Sequence, residues 1–174
     1  KLYGENHLNQ AELSGLMSNN YKSISEYEKS LEYLEKSKNI LISKYAADHL
    51  ALFIPYNNFG MIYGEISLYE KAFEFYGKAI SVLEKGSNDK NLNYALVFNN
   101  LGLLHIDMAE YNKAEQYLTK SLRIYEKFLG NKNPDLTIPL NNLGLLYINQ
   151  NRLELAKKYF KRALTIMDHV FDFY

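Results

Sequence analysis

Residues 99–104 read Asn-Asn-Leu-Gly-Leu-Leu, and the same six residues recur at positions 141–146. The two copies are 42 residues apart, and one further step back gives Asn-Asn-Phe-Gly-Met-Ile at positions 57–62. A third step reaches residues 15–20, which keep the size pattern but lose the leading asparagine pair. A fixed period of this size is typical of repeat proteins, in which each unit stacks on the next. The sequence therefore predicts four consecutive repeats.

The composition is that of a globular protein and argues against several kinds of partner. The 174 residues are 47% hydrophobic, and 20 basic residues balance 20 acidic residues. Without a net charge, no long-range field draws the chain to nucleic acid or to an anionic membrane. Cysteine is absent, which excludes disulfides and thiolate chemistry. No apolar run approaches the ~20 residues of a membrane span, and we expect a cytoplasmic protein.

Each repeat is predicted to contain two helices. In the third repeat, apolar residues follow helical spacing over residues 96–106, with Leu96 on the apolar face, and again over residues 111–129. Gly130 then ends the second pattern, as glycine often does just past the end of a helix. The loop over residues 131–135 supplies cap residues for the next helix.

The prolines place the helix starts. Pro55 and Pro139 occupy the same repeat position, and proline is tolerated only in the first turn of a helix. We therefore expect helices to begin near Phe53 and Thr137. The period then places the repeats at about residues 11–44, 53–86, 95–128 and 137–170, within one domain over residues 11–174.

Residues 1–10 are predicted to lie outside the first repeat. Residues 4–7 lie three 42-residue periods before the loop over residues 130–133, and both segments begin with glycine. This match favours the tail of a preceding repeat or a linker, with residues 4–7 in an inter-repeat loop. The alternative is a frayed terminus whose glycine matches by chance.

The small and large residues of each repeat follow a recognisable order. In the second repeat this order is Tyr56, Phe59-Gly60, Tyr63, Ala72, Tyr76 and Ala79. It resembles the tetratricopeptide repeat, whose small positions lie where two helices cross closely. The third repeat departs from the pattern at His105 and Ser121. The common repeat has about 34 residues, and the longer period found here resembles the subclass typified by kinesin light chain.

The resemblance implies an all-α fold, a right-handed α-solenoid of four antiparallel helix pairs. One helix pair cannot bury its apolar face alone, so neighbouring pairs cover each other. Glycine inside a helix costs about 1 kcal/mol relative to alanine. We therefore expect Gly60, Gly102 and Gly144 to allow the close approach of the paired helix.

The repeat pattern of the sequence does not place potential catalytic residues close together. The four histidines are scattered, and His105 replaces an aromatic core residue, so we expect it to be buried rather than to bind a metal. The glycines are single and form no phosphate loop. Five basic residues of the last helix, between Arg152 and Arg162, are interpreted as a solvated face. The sequence predicts no enzyme, no metal and no cofactor.

The asparagine pairs are the polar feature that the helical period does not require. The first asparagines of the pairs are Asn57, Asn99 and Asn141, and the second asparagines are Asn58, Asn100 and Asn142. An asparagine amide can both donate to and accept from the backbone of an extended peptide. In tetratricopeptide repeat proteins, which this sequence resembles, the first helices line a concave groove, and asparagines at such positions hold the bound peptide. The first asparagines are therefore predicted to form a ladder in the groove, with the second asparagines as neighbours. Alternatively, one residue of each pair is structural and bonds to a loop or to the next helix.

Other residues of the first helices complete the predicted groove. The main ones are Met61, Leu103, Leu145 and Asn149. This lining is largely apolar and nearly neutral, and it lacks the Lys and Arg clamp with which chaperone-binding relatives capture a terminal carboxylate. An extended peptide segment with apolar anchors fits better.

Two functions are consistent with the sequence. The favoured one is a protein-interaction scaffold that binds an extended peptide or a partner helix in its concave groove. The alternative is a regulatory or sensory relay, or a dimerisation segment, within a larger signalling protein. Val170, Phe171, Phe173 and Tyr174 are apolar where a capping helix should be polar. They predict either another repeat or self-association through this end.

Overall fold

The computed structural model describes residues 2–86 and 91–171, which form eight α-helices in four consecutive pairs. The helices are α1 (Leu2–Ser23), α2 (Tyr27–Lys44), α3 (Phe53–Glu65), α4 (Tyr69–Lys85), α5 (Asn91–Asp107), α6 (Tyr111–Leu129), α7 (Thr137–Asn149) and α8 (Leu153–Phe171). Two short 3-10 helices, Leu50–Leu52 and Pro134–Leu136, precede α3 and α7. The predicted starts of α3 at Phe53 and of α7 at Thr137 are confirmed.

The chain divides into two compact units. The N-terminal unit, residues 1–87, contains α1 to α4, and the C-terminal unit, residues 88–174, contains α5 to α8. Within each unit, the two helices of a pair pack along each other, and the second helix of one pair packs on the first helix of the next. The apolar core of the C-terminal unit includes Leu118, Leu140, Leu143 and Leu146, all fully buried.

Buried serines join paired helices in both units, and the order of the two contacts in the N-terminal unit shows that α1 and α2 run in opposite directions. In the N-terminal unit, Ser37 Oγ donates to the carbonyl of Ala11 at 2.8 Å, and Ser30 Oγ donates to the carbonyl of Ser18 at 2.8 Å. In the C-terminal unit, Ser121 Oγ donates to the carbonyl of Ala95 at 2.7 Å. A buried hydroxyl without such a partner would cost free energy. The serines that replace alanine in the repeat pattern are therefore satisfied by the backbone of the neighbouring helix.

The turns inside all four helix pairs have the same conformation. One residue of each turn has a left-handed backbone, with φ between 56° and 60°. The next residue donates its amide to a carbonyl five residues earlier, at 2.8–2.9 Å, which is the Schellman motif. The left-handed residues are 42 positions apart: Ser25, Ser67, Ala109 and Asn151.

Replacing Ala109 with glycine is expected to raise the free energy of unfolding by about 0.5–1 kcal/mol. A left-handed conformation costs an L-residue roughly 1–2 kcal/mol, and the greater chain entropy of glycine offsets part of this gain. Urea denaturation followed by circular dichroism measures the change. Asn151→Gly is the matched control and should gain less, because asparagine tolerates this conformation. A loss of stability in Ala109→Gly would contradict the assignment of the turn.

Each repeat glycine faces a large side chain of its paired helix. A β-carbon on Gly60 would lie 2.6 Å from the ring of Tyr76, and one on Gly102 would lie 2.5 Å from Leu118 Cγ. A β-carbon on Gly144 would likewise lie 2.5 Å from Phe160. Non-bonded carbon atoms prefer separations of about 3.5–4.0 Å. The expected close approach at these glycines is confirmed.

The expectation for residues 4–7 is wrong. They lie inside α1, which begins at Leu2, and not in a loop between repeats. The loop over residues 130–133 is followed by Pro134, which starts a 3-10 helix, whereas Leu8 stands at the matching position near the N-terminus. Without a proline, nothing prevents the first helix from extending over these residues.

Two further findings concern the predicted partners. Of the apolar residues at the C-terminus, Phe173 and Tyr174 and the side chains of Val170 and Phe171 lie outside the described residues. Within the part of the chain that the structure describes, no helix is both long enough and apolar enough to cross a membrane.

Candidate functional site

The predicted site residues all lie on the first helices of the repeats, α3, α5 and α7, but they differ in exposure. The first asparagines Asn57 and Asn99 are buried, with 8% and 5% of their surface exposed. Asn141, at the same position on α7, is exposed. The second asparagines Asn58, Asn100 and Asn142 are half-buried. The prediction that the first asparagines form a ladder open to a ligand therefore fails for Asn57 and Asn99, because their side chains face neighbouring protein atoms.

In the C-terminal unit, a direct amide pair joins two first helices. Asn142 Nδ2 on α7 donates to Asn99 Oδ1 on α5 at 2.8 Å. Because the bond is largely shielded from water, it fixes the spacing of α5 and α7. The bond agrees with the alternative that one residue of each pair is structural and bonds to the next helix. Here that residue is Asn99, and its partner is the second asparagine of the following repeat.

In the N-terminal unit, a related amide pair joins α1 and α3. Asn58 Nδ2 donates to Asn19 Oδ1 at 3.4 Å, a longer bond on a more exposed surface. Asn57 Nδ2 lies 3.5 Å from Met61 Sδ, one turn along the same helix. Lys22 Nζ and Glu65 Oε1, at 3.2 Å, form an ion pair between the same two helices.

The first helix of the last repeat, α7, presents a continuous uncharged stripe to solvent. Its exposed residues are Ile138, Asn141, Leu145, Ile148 and Asn149. The three apolar side chains are 41–46% exposed. No residue between Thr137 and Asn149 is charged. Such a surface offers apolar contacts and amide hydrogen bonds but no ionic attraction.

Sequence reasoning missed a repeat position that carries an exposed apolar residue in three of the repeats. Ile54, Leu96 and Ile138 are 64%, 38% and 44% exposed, and each lies four residues before a second asparagine. Leu96 was expected on the buried face of α5, together with Leu101 and Leu104, and that placement is wrong. The signal was present in the sequence, since the three positions are 42 residues apart and always carry Ile or Leu. Met61 and Leu103, which were predicted, are half-buried.

Replacing Asn99 with alanine is expected to lower the free energy of unfolding by about 1–2 kcal/mol, because Asn142 loses its partner. The same change at Asn141 should alter it by less than about 0.5 kcal/mol, since exposed positions are tolerant. Both single variants can be compared with the parent chain by urea denaturation. Equal losses at the two positions would contradict the division into a structural and an exposed asparagine.

His105 is a structural residue of the C-terminal unit. It is 5% exposed, its ring stacks on Tyr117 with centroids 5.3 Å apart, and its Nδ1 lies 2.7 Å from Glu110 Oε2. A carboxylate only accepts, so the proton of this bond belongs to His105. Hydrogen bonds from Lys113 and His105 lower the pKa of Glu110. The expectation of a buried histidine is confirmed. Among the side chains that the structure describes, those of residues 7–86 and 92–168, no cluster that could hold a metal ion occurs.

Arg162 on α8 and Arg152, in the turn before α8, pair with acidic residues of α6. Arg162 Nη1 lies 2.7 Å from Glu126 Oε1, and Arg152 Nη1 lies 3.9 Å from Glu115 Oε2. Glu115 also accepts a hydrogen bond from Tyr147 Oη at 2.8 Å, and burial together with this bond raises the pKa of Tyr147. The two arginines therefore contribute to the contact between repeats.

Comparison with known proteins agrees with this architecture. The sequence profile of the tetratricopeptide repeat matches residues 21–85 and 93–169. No curated protein sequence gives a significant match. The crystal structure of BtubC (BKLC) from P. vanneervenii superposes with a TM-score of 0.75 at 22% identity, over 92% of this chain and 64% of that one. A putative kinesin light chain with nearly identical TPR-like repeats, from Podospora anserina, gives a TM-score of 0.66 at 13% identity, over 92% of this chain and 76% of that one. The chain thus spans less than two thirds of the BtubC chain, and these likenesses confirm the predicted fold class.

Proposed function

Because the chain belongs to the tetratricopeptide repeat family, we propose that, within a unit, it binds an extended peptide of a partner protein on the exposed face of the first helices. The family match and the related structures support a protein–protein interaction scaffold. The exposed residues of the first helices determine which kind of peptide segment this scaffold would bind.

The observation that carries the proposal is the paired surface of α5 and α7. The bond between Asn99 and Asn142 holds the two helices side by side within one unit. Outside this bond, Leu96, Ile138 and Leu145 remain 38–44% exposed. A contiguous exposed apolar patch marks a site of interaction, and Ile138, Leu145 and Ile148 lie on one side of α7.

The chemistry of the surface favours an extended peptide over a charged ligand. Apolar side chains can anchor alternate residues of an extended segment, while asparagine amides bond to its backbone. Asn141 and Asn149 are exposed on α7 among the apolar residues. Because α7 carries no charge, its contribution to the affinity should depend little on salt concentration, in contrast to contributions from surface ion pairs.

Selection from a random-peptide display library tests the proposal. Peptides selected on the parent chain are titrated against the variant Asn141→Ala/Leu145→Ala, for which we expect at least a tenfold loss of affinity. The matched control is Thr165→Ala/Leu164→Ala on α8, which also removes one polar and one large apolar exposed side chain. It should bind as the parent does, and circular dichroism establishes that both variants are folded.

Two results would overturn the proposal. One is a selection that yields no peptide. The other is a set of peptides that bind the α7 variant as tightly as the parent. If the chain also self-associates in analytical ultracentrifugation, the dimerisation or relay function becomes the better account, with exposed Leu153 and Leu164 of α8 as the first residues to replace.

A further inference from the structure

The N-terminal unit contains a cavity of about 390 Å³ between α1, α2 and α3. It opens beside the amide pair of Asn19 and Asn58. Most of the side chains around it are apolar: Leu8, Leu16, Leu34, Leu41, Ile54 and Pro55. Glu12 is the charged residue of the lining.

The cavity has a definite origin in the sequence. In the C-terminal unit, the positions equivalent to Gly15 and Leu41 are occupied by Asn99 and Tyr125, both buried. Gly15 contributes no side chain, and a β-carbon built on it would meet only Ser37 Oγ, at 3.9 Å. At the junction of the first and second repeats, the chain thus has smaller residues at both positions than at the equivalent junction of the C-terminal unit. The repeat glycines at Gly60, Gly102 and Gly144 differ, because the opposing side chain fills their space.

We propose that this cavity receives one large apolar side chain of an extended peptide bound on the first helices of the N-terminal unit, with a basic residue of that peptide beside it. The inference rests on the proposed function and adds a position and a chemical class to it. The apolar lining selects the anchor, since burying such a side chain removes its surface from water. Glu12, exposed on α1 at the rim, favours a neighbouring lysine or arginine.

The amide pair fits the backbone of the same peptide. The bond between Asn58 Nδ2 and Asn19 Oδ1 uses one donor and one acceptor. An asparagine amide has two donors and two acceptor lone pairs. Asn19 can therefore donate to a peptide carbonyl, and Asn58 Oδ1 can accept from a peptide amide, next to the anchored side chain.

Filling the cavity tests the inference without knowledge of the partner. Gly15→Leu places a side chain in the empty space, whereas Gly15→Ala removes the glycine and leaves most of the space open. The neutral fluorophore N-phenyl-1-naphthylamine is the probe, because its emission rises in an apolar site. We expect enhanced emission with the parent chain and with Gly15→Ala, and at least a tenfold smaller enhancement with Gly15→Leu. Equal emission with all three chains would overturn the inference.

The selected peptides identify the occupant. Those that carry a large apolar residue next to a basic one should bind Gly15→Ala as they bind the parent, and should lose at least tenfold in affinity on Gly15→Leu. Glu12→Gln should weaken the same peptides about threefold at low salt and less at high salt. Peptides that bind all variants equally would overturn the cavity assignment while leaving the proposed function intact. A library that yields no peptide at all would overturn both.

Discussion

Replacing Gly102 with leucine is expected to lower the free energy of unfolding by about 3 kcal/mol or more. A β-carbon at this position would lie 2.5 Å from Leu118 Cγ and 3.4 Å from the backbone oxygen of Ala114. Leu118 is fully buried in the core of the C-terminal unit. It cannot move aside without displacing its neighbours, and overpacking of this kind typically costs 1–3 kcal/mol and occasionally more. Denaturant unfolding followed by circular dichroism measures the change.

Gly77 on α4 provides the matched control. A β-carbon on Gly77 would have no atom within 4 Å, so this glycine has no packing role. Gly77→Leu is expected to raise the free energy of unfolding by up to about 1 kcal/mol, because leucine is the better helix former. The same substitution should therefore have opposite effects at the two positions. Destabilisation of similar size at both would show that the close packing of α5 on α6 is not what Gly102 provides.

Leu143→Ala is the second change with a large expected effect, a loss of about 2–5 kcal/mol. Leu143 is 0% exposed on α7 and belongs to the apolar core of the C-terminal unit. Truncation removes buried methyl groups and leaves a cavity, and both terms oppose folding. The loss is read from the shift of the denaturation midpoint at constant slope.

Leu145, two residues further along the same helix, is its control. It is 41% exposed, so Leu145→Ala should cost less than about 1 kcal/mol. If the account is correct, this variant is stable but impaired in peptide binding. Comparable losses of stability at Leu143 and Leu145 would mean that α7 is rotated relative to the described arrangement.

Much of the fold could be predicted because the repeat period constrains it strongly. The recurrence of the glycines every 42 residues identified the helix crossings, and the prolines identified the starts of α3 and α7. The resemblance to the tetratricopeptide repeat is confirmed, and the fold is similar to that of a putative kinesin light chain. The division into a single domain over residues 11–174 stays a prediction.

The candidate site was harder to predict because periodicity does not distinguish a buried amide from an exposed one. Asn99 and Asn141 are identical in sequence context, yet only Asn99 accepts a hydrogen bond from a following first helix. Whether each asparagine is buried depends on which helix packs beside its own. The sequence of a single repeat does not contain this information, because the contacts are made between repeats. For the same reason Leu96 was assigned to the wrong face of α5.

The cavity beside Gly15 could not be predicted at all from the consensus pattern. Residues 15–20 depart from the other repeats, and a departure alone does not reveal whether a space is left open or filled by a neighbour. Outside its own helix, the Ser37 hydroxyl is the one described group within 4 Å of the position that a β-carbon on Gly15 would take, at 3.9 Å. Loss of a consensus side chain at one junction thus created a candidate anchor site.

Amide chemical-shift mapping shows whether the first helices bind an extended peptide. The 20.3 kDa chain, labelled with ¹⁵N, is titrated with a peptide selected by display. We expect the largest changes in amide chemical shift on the first helices α1, α3, α5 and α7, and small changes on the second helices. Shifts concentrated on α2, α4, α6 and α8 would contradict it, because the peptide would then bind a face to which we assign no function.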